Sequence, residues 1–276
     1  MNPVLSQMLA TGSVRTADGS TIPLNTEVSA EEGLALQELI RLHKPRVTLE
    51  VGLAYGVSAL FICEALAEVG GEKHIVIDPY QVGVRSLDFV AGPSHTMRVG
   101  FDGLGLANLG RAGYARLVEY HDQPSHRALP ALEAAGQRID FAFIDGWHTF
   151  DYVMVDFFYV DRMLRVGGIV VLDDTSYPAI RKLARYIATH RSYSATGGGK
   201  GTPTSLRRRL FNALTAALRV PLLSGATRRL VRADVLEPDA SLGMPPGNFI
   251  AFRKTAEDVL GDGSGGSRRW DQHHDF

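Results

Sequence analysis

Apolar positions along this chain follow two alternating rhythms. Short, nearly unbroken apolar runs fall at residues 47–51, 74–80, 116–121, 139–145 and 168–174. Between them the apolar residues recur three and four apart, the spacing that puts them on one face of a helix. The first run leads into the stretch that organises the rest: Val47, Leu49 and Val51 read as a buried strand, Gly52 and Gly56 as a sharp turn, and Val57, Leu60, Phe61 and Leu66 as a helix. Such a turn aims free N–H groups at whatever binds the helix N-terminus. The other runs repeat the pattern, so the spacing predicts a parallel sheet with helices on both faces.

Helix boundaries are marked by local chemistry. Ser29 and Glu32 make a capping-box pattern ahead of Leu34, Leu36, Leu39 and Ile40, and Lys44 with Pro45 ends that helix. Further helices are expected between Thr96 and Leu109, after residue 122, from Phe150 to Leu164 with Asp151, Asp156 and Arg162 facing outwards, and from Pro178 with Ile180, Leu183, Ala184 and Ile187 as its apolar side. Gly167 and Gly168 are expected to end the third of these and open the fifth strand. Residues 1 to about 26 carry turn signals, TGS and ADGS, and read as a loosely ordered arm. Residues 194–205 read as a flexible loop, 206–218 as a second amphipathic helix, 229–235 as a further strand, and 247–254 as a late one. The tail from 261 is linker-like until Trp270, whose apolar surface suggests that the end folds back; His273 and His274 are adjacent, which rarely lets two rings meet one metal ion. The domain reading is an N-terminal arm at 1–28 and one α/β domain at 29–276, with a basic insertion or lid at 191–245 and a tail at 261–276.

Composition narrows the class. The chain has 276 residues, 45% hydrophobic and 21% charged, with a formal net charge of -1, so nothing pulls it as a whole toward nucleic acid or a membrane. No apolar run approaches the roughly 20 residues of a membrane span, and the N-terminus lacks the pattern of a secretory leader, so a cytoplasmic protein is expected. Its single cysteine, Cys63, sits within a helix pattern as a small buried apolar residue. Charge is unevenly distributed, however: no acidic residue occurs between Asp174 and Asp234, while twelve Lys and Arg do. That basic stretch reads as a solvated face, a docking surface for a partner or an acidic membrane, or, the favoured expectation, a lid over an anionic substrate.

The acids are placed alike. Glu50, Asp78, Asp122, Asp145, Asp173 and Asp174 all fall at the C-terminal ends of expected strands, where ligands bind in open α/β sheets, and one shared site explains this better than six accidents. Asp78 is positioned to take ribose hydroxyls or to cap its own turn; Asp122 and Ser125 either cap the next helix or meet an adenine edge. Glu50 on the first strand, and the spacing EVGLAYG in place of GxGxxG, argue for S-adenosylmethionine rather than NAD.

The ordered set LEVGLAYGVSALFICEAL, IDPYQ, FIDGWHTFDYVMVDF and RVGGIVVLDD resembles the class I S-adenosylmethionine-dependent methyltransferases, in the branch that groups cephalosporin-hydroxylase-like proteins with macrocin-type sugar O-methyltransferases. The resemblance implies a Rossmann-like, doubly wound seven-stranded sheet, mostly parallel with an antiparallel last strand, and an O-methyltransferase acting on a hydroxyl of a small molecule or sugar. It implies that Glu50, Gly52 and Gly56 hold the methionine end of the cofactor with Ser58 beside them, that Asp78 takes the ribose, and that the Asp122–Ser125 loop borders the adenine. It also implies Mg²⁺ at Asp145, Asp173 and Asp174, although Asp173 or Asp174 could instead cap the helix at Pro178. His148 is expected as the general base with Asp145 at the chemical edge; the second acid some sugar methyltransferases carry two positions after the fourth-strand aspartate is Trp147 here. The competing readings are a non-enzymatic or regulatory protein that binds the cofactor and docks a partner through its basic segment, and an NAD-dependent oxidoreductase. A helix such as 205–219 could pair two subunits.

Overall fold

The β-branched and aliphatic runs pair side by side, and the helices between them cover both faces of the resulting sheet. The computed structural model describes residues 1–25, 28–83, 85–86, 98–198, 239–244 and 247–257. In chain order the elements are α1 (Pro3–Thr11), β1 (Ser13–Arg15), β2 (Thr21–Pro23), α2 (Ala30–His43), β3 (Val47–Val51), α3 (Val57–Glu68), β4 (Lys73–Ile77), β5 (Arg85–Ser86), β6 (Arg98–Val99), α4 (Leu104–Arg111), β7 (Val118–His121), α5 (Ser125–Ala134), β8 (Ile139–Ile144), α6 (Phe150–Met163), β9 (Leu164–Leu172), α7 (Pro178–His190), β10 (Tyr193–Gly198) and β11 (Ile250–Lys254).

Seven strands form one sheet in the order β10-β11-β9-β8-β3-β4-β7. β3, next to the central β8, has every residue buried and runs parallel to β4 on one side and β8 on the other. The chain therefore reverses its direction of travel across the sheet beside β3, which opens a crevice at the C-terminal tips of β3 and β8. β11 runs antiparallel to both β9 and β10, as the resemblance implied. One face packs Leu129, Phe157, Val160, Leu183 and Ile187 of α5, α6 and α7 against the sheet; the other packs Leu36, Ile40 and Ile62 of α2 and α3 against Phe141, Phe143 and Val171. Among the described residues no helix is long and apolar enough to cross a membrane.

Several expectations need correction. The first 25 residues are not a loose arm. Asn2 caps α1 by accepting from Val4 N at 3.0 Å, and Leu5, Met8 and Val14 are buried against Leu60 and Phe61 of α3. The TGS and ADGS signals are the ends of the β1–β2 hairpin, and Leu5, Met8 and Leu9 ahead of them carry the apolar spacing of α1. α4 starts at Leu104, after left-handed Asp102 and Gly103, and not at Thr96. β9 already begins at Leu164, and a register shift opposite Ile139 and Phe141 absorbs Gly167 and Gly168 within the strand. Residues 193–198 are not loop or insertion but the edge strand β10, because pairing along β11 satisfies the backbone whatever the side chains are. Asp156 is 1% exposed and faces the core, whereas Arg162 faces solvent.

The cations that open the basic stretch are also paired. Arg181 and Arg185 both meet Asp239, and Arg191 meets Asp161 beneath β10. The expected helix 206–218, the strand 229–235, Trp270, His273 and His274 lie outside the described residues, as does most of the proposed lid.

Candidate active site

A cavity of about 650 Å³ occupies the crevice, lined from the tips of β3, β4, β8 and β9 and from α2. Its first half is built by the turn after β3. Gly52 has φ +94°, and a Cβ there would lie 2.1 Å from the carbonyl oxygen of Asp145, so only glycine lets β3 close against the end of β8. Gly56, at φ +83°, starts α3.

Asp78, 2% exposed, is bound to this turn. Its Oδ2 accepts from Leu53 N at 3.1 Å, Ala54 N at 2.9 Å and Gln81 Nε2 at 3.0 Å, and its Oδ1 accepts from Tyr80 N at 2.7 Å. The aspartate thus holds the end of β4 to the glycine turn, the capping alternative weighed above, and one Oδ1 lone pair remains on a residue that lines the cavity. Glu50 is fully buried behind the wall: His74 Nε2 lies 3.0 Å from its Oε2, and the Ser58 hydroxyl donates to its Oε1. Thr48 Oγ1 holds the other ring nitrogen of His74 at 2.9 Å. Ser58 lines the cavity and Glu50 does not. His74 was missed because it reads as the edge of an apolar strand; its only signal was an imidazole opening a run that stays apolar until Asp78.

Ser125 and Pro124 reach the cavity while Asp122, which accepts from Tyr120 Oη at 3.2 Å, stays off it. No side chain caps α5. Instead the Ser125 hydroxyl bonds the buried carboxyl of Asp156, whose pKa burial pushes up to about 7.

The second half holds the remaining acids. Asp145 ends β8, and left-handed Asp174, at φ 53°, turns the chain after β9 so that Asp173 and Asp174 point differently. His148 Nε2 sits between two carboxylates, 3.3 Å from Asp145 Oδ1 and 3.4 Å from Asp174 Oδ2, with its ring stacked on Tyr177. Burial disfavours the imidazolium, but the Asp145 hydrogen bond and the two carboxylates outweigh it and raise the His148 pKa. Burial drives Asp145 up to about 6 against the opposing pull of His148. The trio that offers ligand atoms within 4.8 Å of one another is Asp145, His148 and Asp174; Asp173, expected in the set, is not in it. Asp173 is 6% exposed, its Oδ1 has no partner, and burial together with the Asp145 and Glu32 charges raises its pKa well above the usual carboxylate range.

Two lining residues carried no sequence signal for this role. Glu32 of α2 was read only as half of a capping box, and Asn248 precedes β11 with nothing to distinguish it. Asn248 Nδ2 donates to Glu32 Oε1 at 3.2 Å and to Asp174 Oδ1 at 3.0 Å.

Comparison with known proteins points to the same fold. Residues 49–175 match a family model described as a methyltransferase domain. The O-methyltransferase TomG of Streptomyces achromogenes, involved in tomaymycin synthesis and solved with S-adenosylmethionine, superimposes with a TM-score of 0.58 at 19% identity, covering 93% of this chain and 91% of that one. An O-methyltransferase from Bacillus cereus, solved with S-adenosylhomocysteine, gives a TM-score of 0.53 at 20% identity over 71% of this chain and 83% of that one. The Tapetum-specific methyltransferase 1 of Arabidopsis thaliana is 28% identical over 152 residues, so the chain spans about half the length, 54%, of that curated relative.

Proposed function

We propose that this chain, whose residues 49–175 match a methyltransferase-domain model, is a class I S-adenosylmethionine-dependent O-methyltransferase acting on a hydroxyl of a small molecule or sugar with the help of a divalent metal. The observation that carries the reading is that one cavity joins the glycine turn after β3 to the Asp145, His148 and Asp174 cluster. Gly52, Gly56, Ser58, Asp78 and Ser125 would border the cofactor, with Glu50 acting on it only through Ser58. The cluster would border the acceptor.

In this reading the chain mainly positions. Methyl transfer is an in-line displacement in which the acceptor oxygen bonds the methyl carbon as the C–S bond breaks and its electron pair stays on sulfur. Holding the two reactants in line contributes roughly 7–11 kcal/mol. Trp147, Tyr152 and Tyr177 wall the cavity.

The donor set suits a divalent ion held by Asp145, His148 and Asp174. When bound, such an ion supplies Lewis acidity that lowers the pKa of the acceptor hydroxyl. Two carboxylates and an imidazole favour Mn²⁺ or another transition ion, whereas Mg²⁺ prefers the all-oxygen alternative of Asp145, Asp173 and Asp174. A second reading rests on the close approach of both carboxylates to His148 Nε2, which makes the ring a stronger proton acceptor. Without an ion His148 is then the general base, worth on the order of 10² to 10⁴ in rate.

Calorimetric titration with S-adenosylmethionine tests the foundation, and absence of binding at millimolar ligand ends the proposal. Dialysis against EDTA separates the two roles of His148. Methyl transfer lost in EDTA and restored by Mn²⁺ supports the metal; transfer that persists in EDTA and collapses in His148→Ala supports the base.

A further inference from the structure

With Asp173 ionised, the form that a neighbouring cation favours, the part of the cavity wall made by Glu32, Asp173 and Asn248 offers hydrogen-bond acceptors alone. Asn248 has two amide hydrogens, and both are committed, one to Glu32 Oε1 and one to Asp174 Oδ1. Turning the amide over would press its oxygen against two carboxylates, so charge fixes the orientation and leaves Asn248 Oδ1 as an acceptor. Glu32 is held rigidly, since its Oε2 accepts from Ser29 N at 2.9 Å in the capping box. Each of its oxygens takes one donor there and keeps a lone pair. Asp173 is 6% exposed, lines the cavity, and its Oδ1 has no partner. A buried carboxylate oxygen with no donor is costly in a folded chain, and a ligand that supplies the missing donor relieves that cost.

No lysine or arginine lines the cavity among the described residues, and His148 serves Asp145 and Asp174. Of the described cations that open the basic stretch, Arg181 and Arg185 are drawn off to Asp239 and Arg191 to Asp161, and Lys182 lies over the Phe150 ring. The described wall therefore has the opposite sign to an anion site.

We propose that Glu32, Asp173 and Asn248 form a subsite for a protonated amine, so that the methyl acceptor is a hydroxyl compound that also carries an ammonium group. An ammonium has three N–H donors on one centre, and the wall presents three acceptor side chains. Glu32 and Asn248 lie outside the Asp145, His148 and Asp174 trio, so the same cavity has room for a metal at one cluster and an amine at the other. The inference rests on the cavity being the active site of an O-methyltransferase.

The test uses the full chain loaded with S-adenosylhomocysteine and calorimetric titration of matched probes, glucosamine against glucose and tyramine against 4-ethylphenol. Each amine is expected to bind at least about tenfold more tightly than its neutral partner, the range of a charge-assisted hydrogen bond. Glu32→Gln and Asp173→Asn are expected to bring the preference to within about twofold. Glutamine at position 32 still completes the capping box, so an unchanged affinity for S-adenosylhomocysteine in that variant reports an intact fold. Failure of the wild type to bind S-adenosylhomocysteine removes the methyltransferase reading itself. Binding of S-adenosylhomocysteine without any amine preference overturns the subsite alone, as does tighter binding of the neutral probes. Loss of Mn²⁺ affinity in both variants, with no amine preference in the wild type, reassigns the wall to the metal and also overturns it.

Discussion

The two halves of the cavity are built from one residue type in one setting, an acid at or near the tip of a strand, and they use it in opposite ways. On the β3–β4 side the chain supplies every donor its acids need. Glu50 is held by His74 and Ser58, and Asp78 accepts four hydrogen bonds, three of them from backbone N–H groups. On the β8–β9 side Asp145 and Asp174 share one imidazole, and Asp173 has an oxygen with no donor at all. The cause is local geometry. A glycine turn leaves backbone N–H groups free beside Asp78, whereas after β9 the Asp174 N–H reaches the Asp173 carboxyl but leaves its Oδ1 without a donor. Acids that the chain satisfies build the site, and acids it leaves wanting are available to a ligand.

That contrast can be broken by experiment. The largest effect is expected from Gly52→Ala, since its Cβ would lie 2.1 Å from the Asp145 carbonyl where the halves meet. We expect a loss of about 4 kcal/mol or more in urea unfolding. A variant as stable as wild type that still binds S-adenosylhomocysteine would mean the turn is not rigid. Next, Asp145→Asn should reduce methyl transfer by roughly 10² to 10⁴ while changing stability by no more than about 1 kcal/mol. A stability loss as large as the rate loss would make the acid end structural like the other.

Asp156 allows a pH test of the same idea beneath Ser125. Its folded pKa is raised by burial from 3.8 to about 7, so its contribution to stability is full below pH 4 and declines as pH rises through about 7. Asp156→Asn should flatten the stability profile across that window, with a difference on the order of 3 kcal/mol between pH 4 and 8. Equal slopes in both proteins would show that burial does not raise the Asp156 pKa. The smallest effect belongs to Ser29→Ala, which removes the hydroxyl that accepts from Glu32 N at 3.2 Å and should cost about 1 kcal/mol by thermal melting. If Glu32 is held for amine binding as well as capping, amine affinity falls in the same variant.

Much of this was legible because it is local. The Ser29 and Glu32 capping box, the apolar face Ile180, Leu183, Ala184 and Ile187 of α7, and the glycine turn after β3 all depend on residues within a few positions of one another. The strand tips followed from the apolar runs, and with them the crevice. What failed to show was long-range. Asn248 reaches Glu32 across 216 positions and Asp174 across 74, and Glu50 meets His74 across 24. No spacing rule carries such pairs. Asp156 looked like a solvent-facing acid because helical periodicity alone does not say what lies against a polar position.

The sequence by itself determined the sheet, the turn that makes its ligand-binding crevice, and the set of acids at the strand tips, because backbone hydrogen bonding and apolar burial follow from short-range pattern. Only the tertiary structure decided which of those acids are satisfied. That depends on where donors from distant elements arrive, and it divides the same cavity into a half that is built and a half that waits for its ligand.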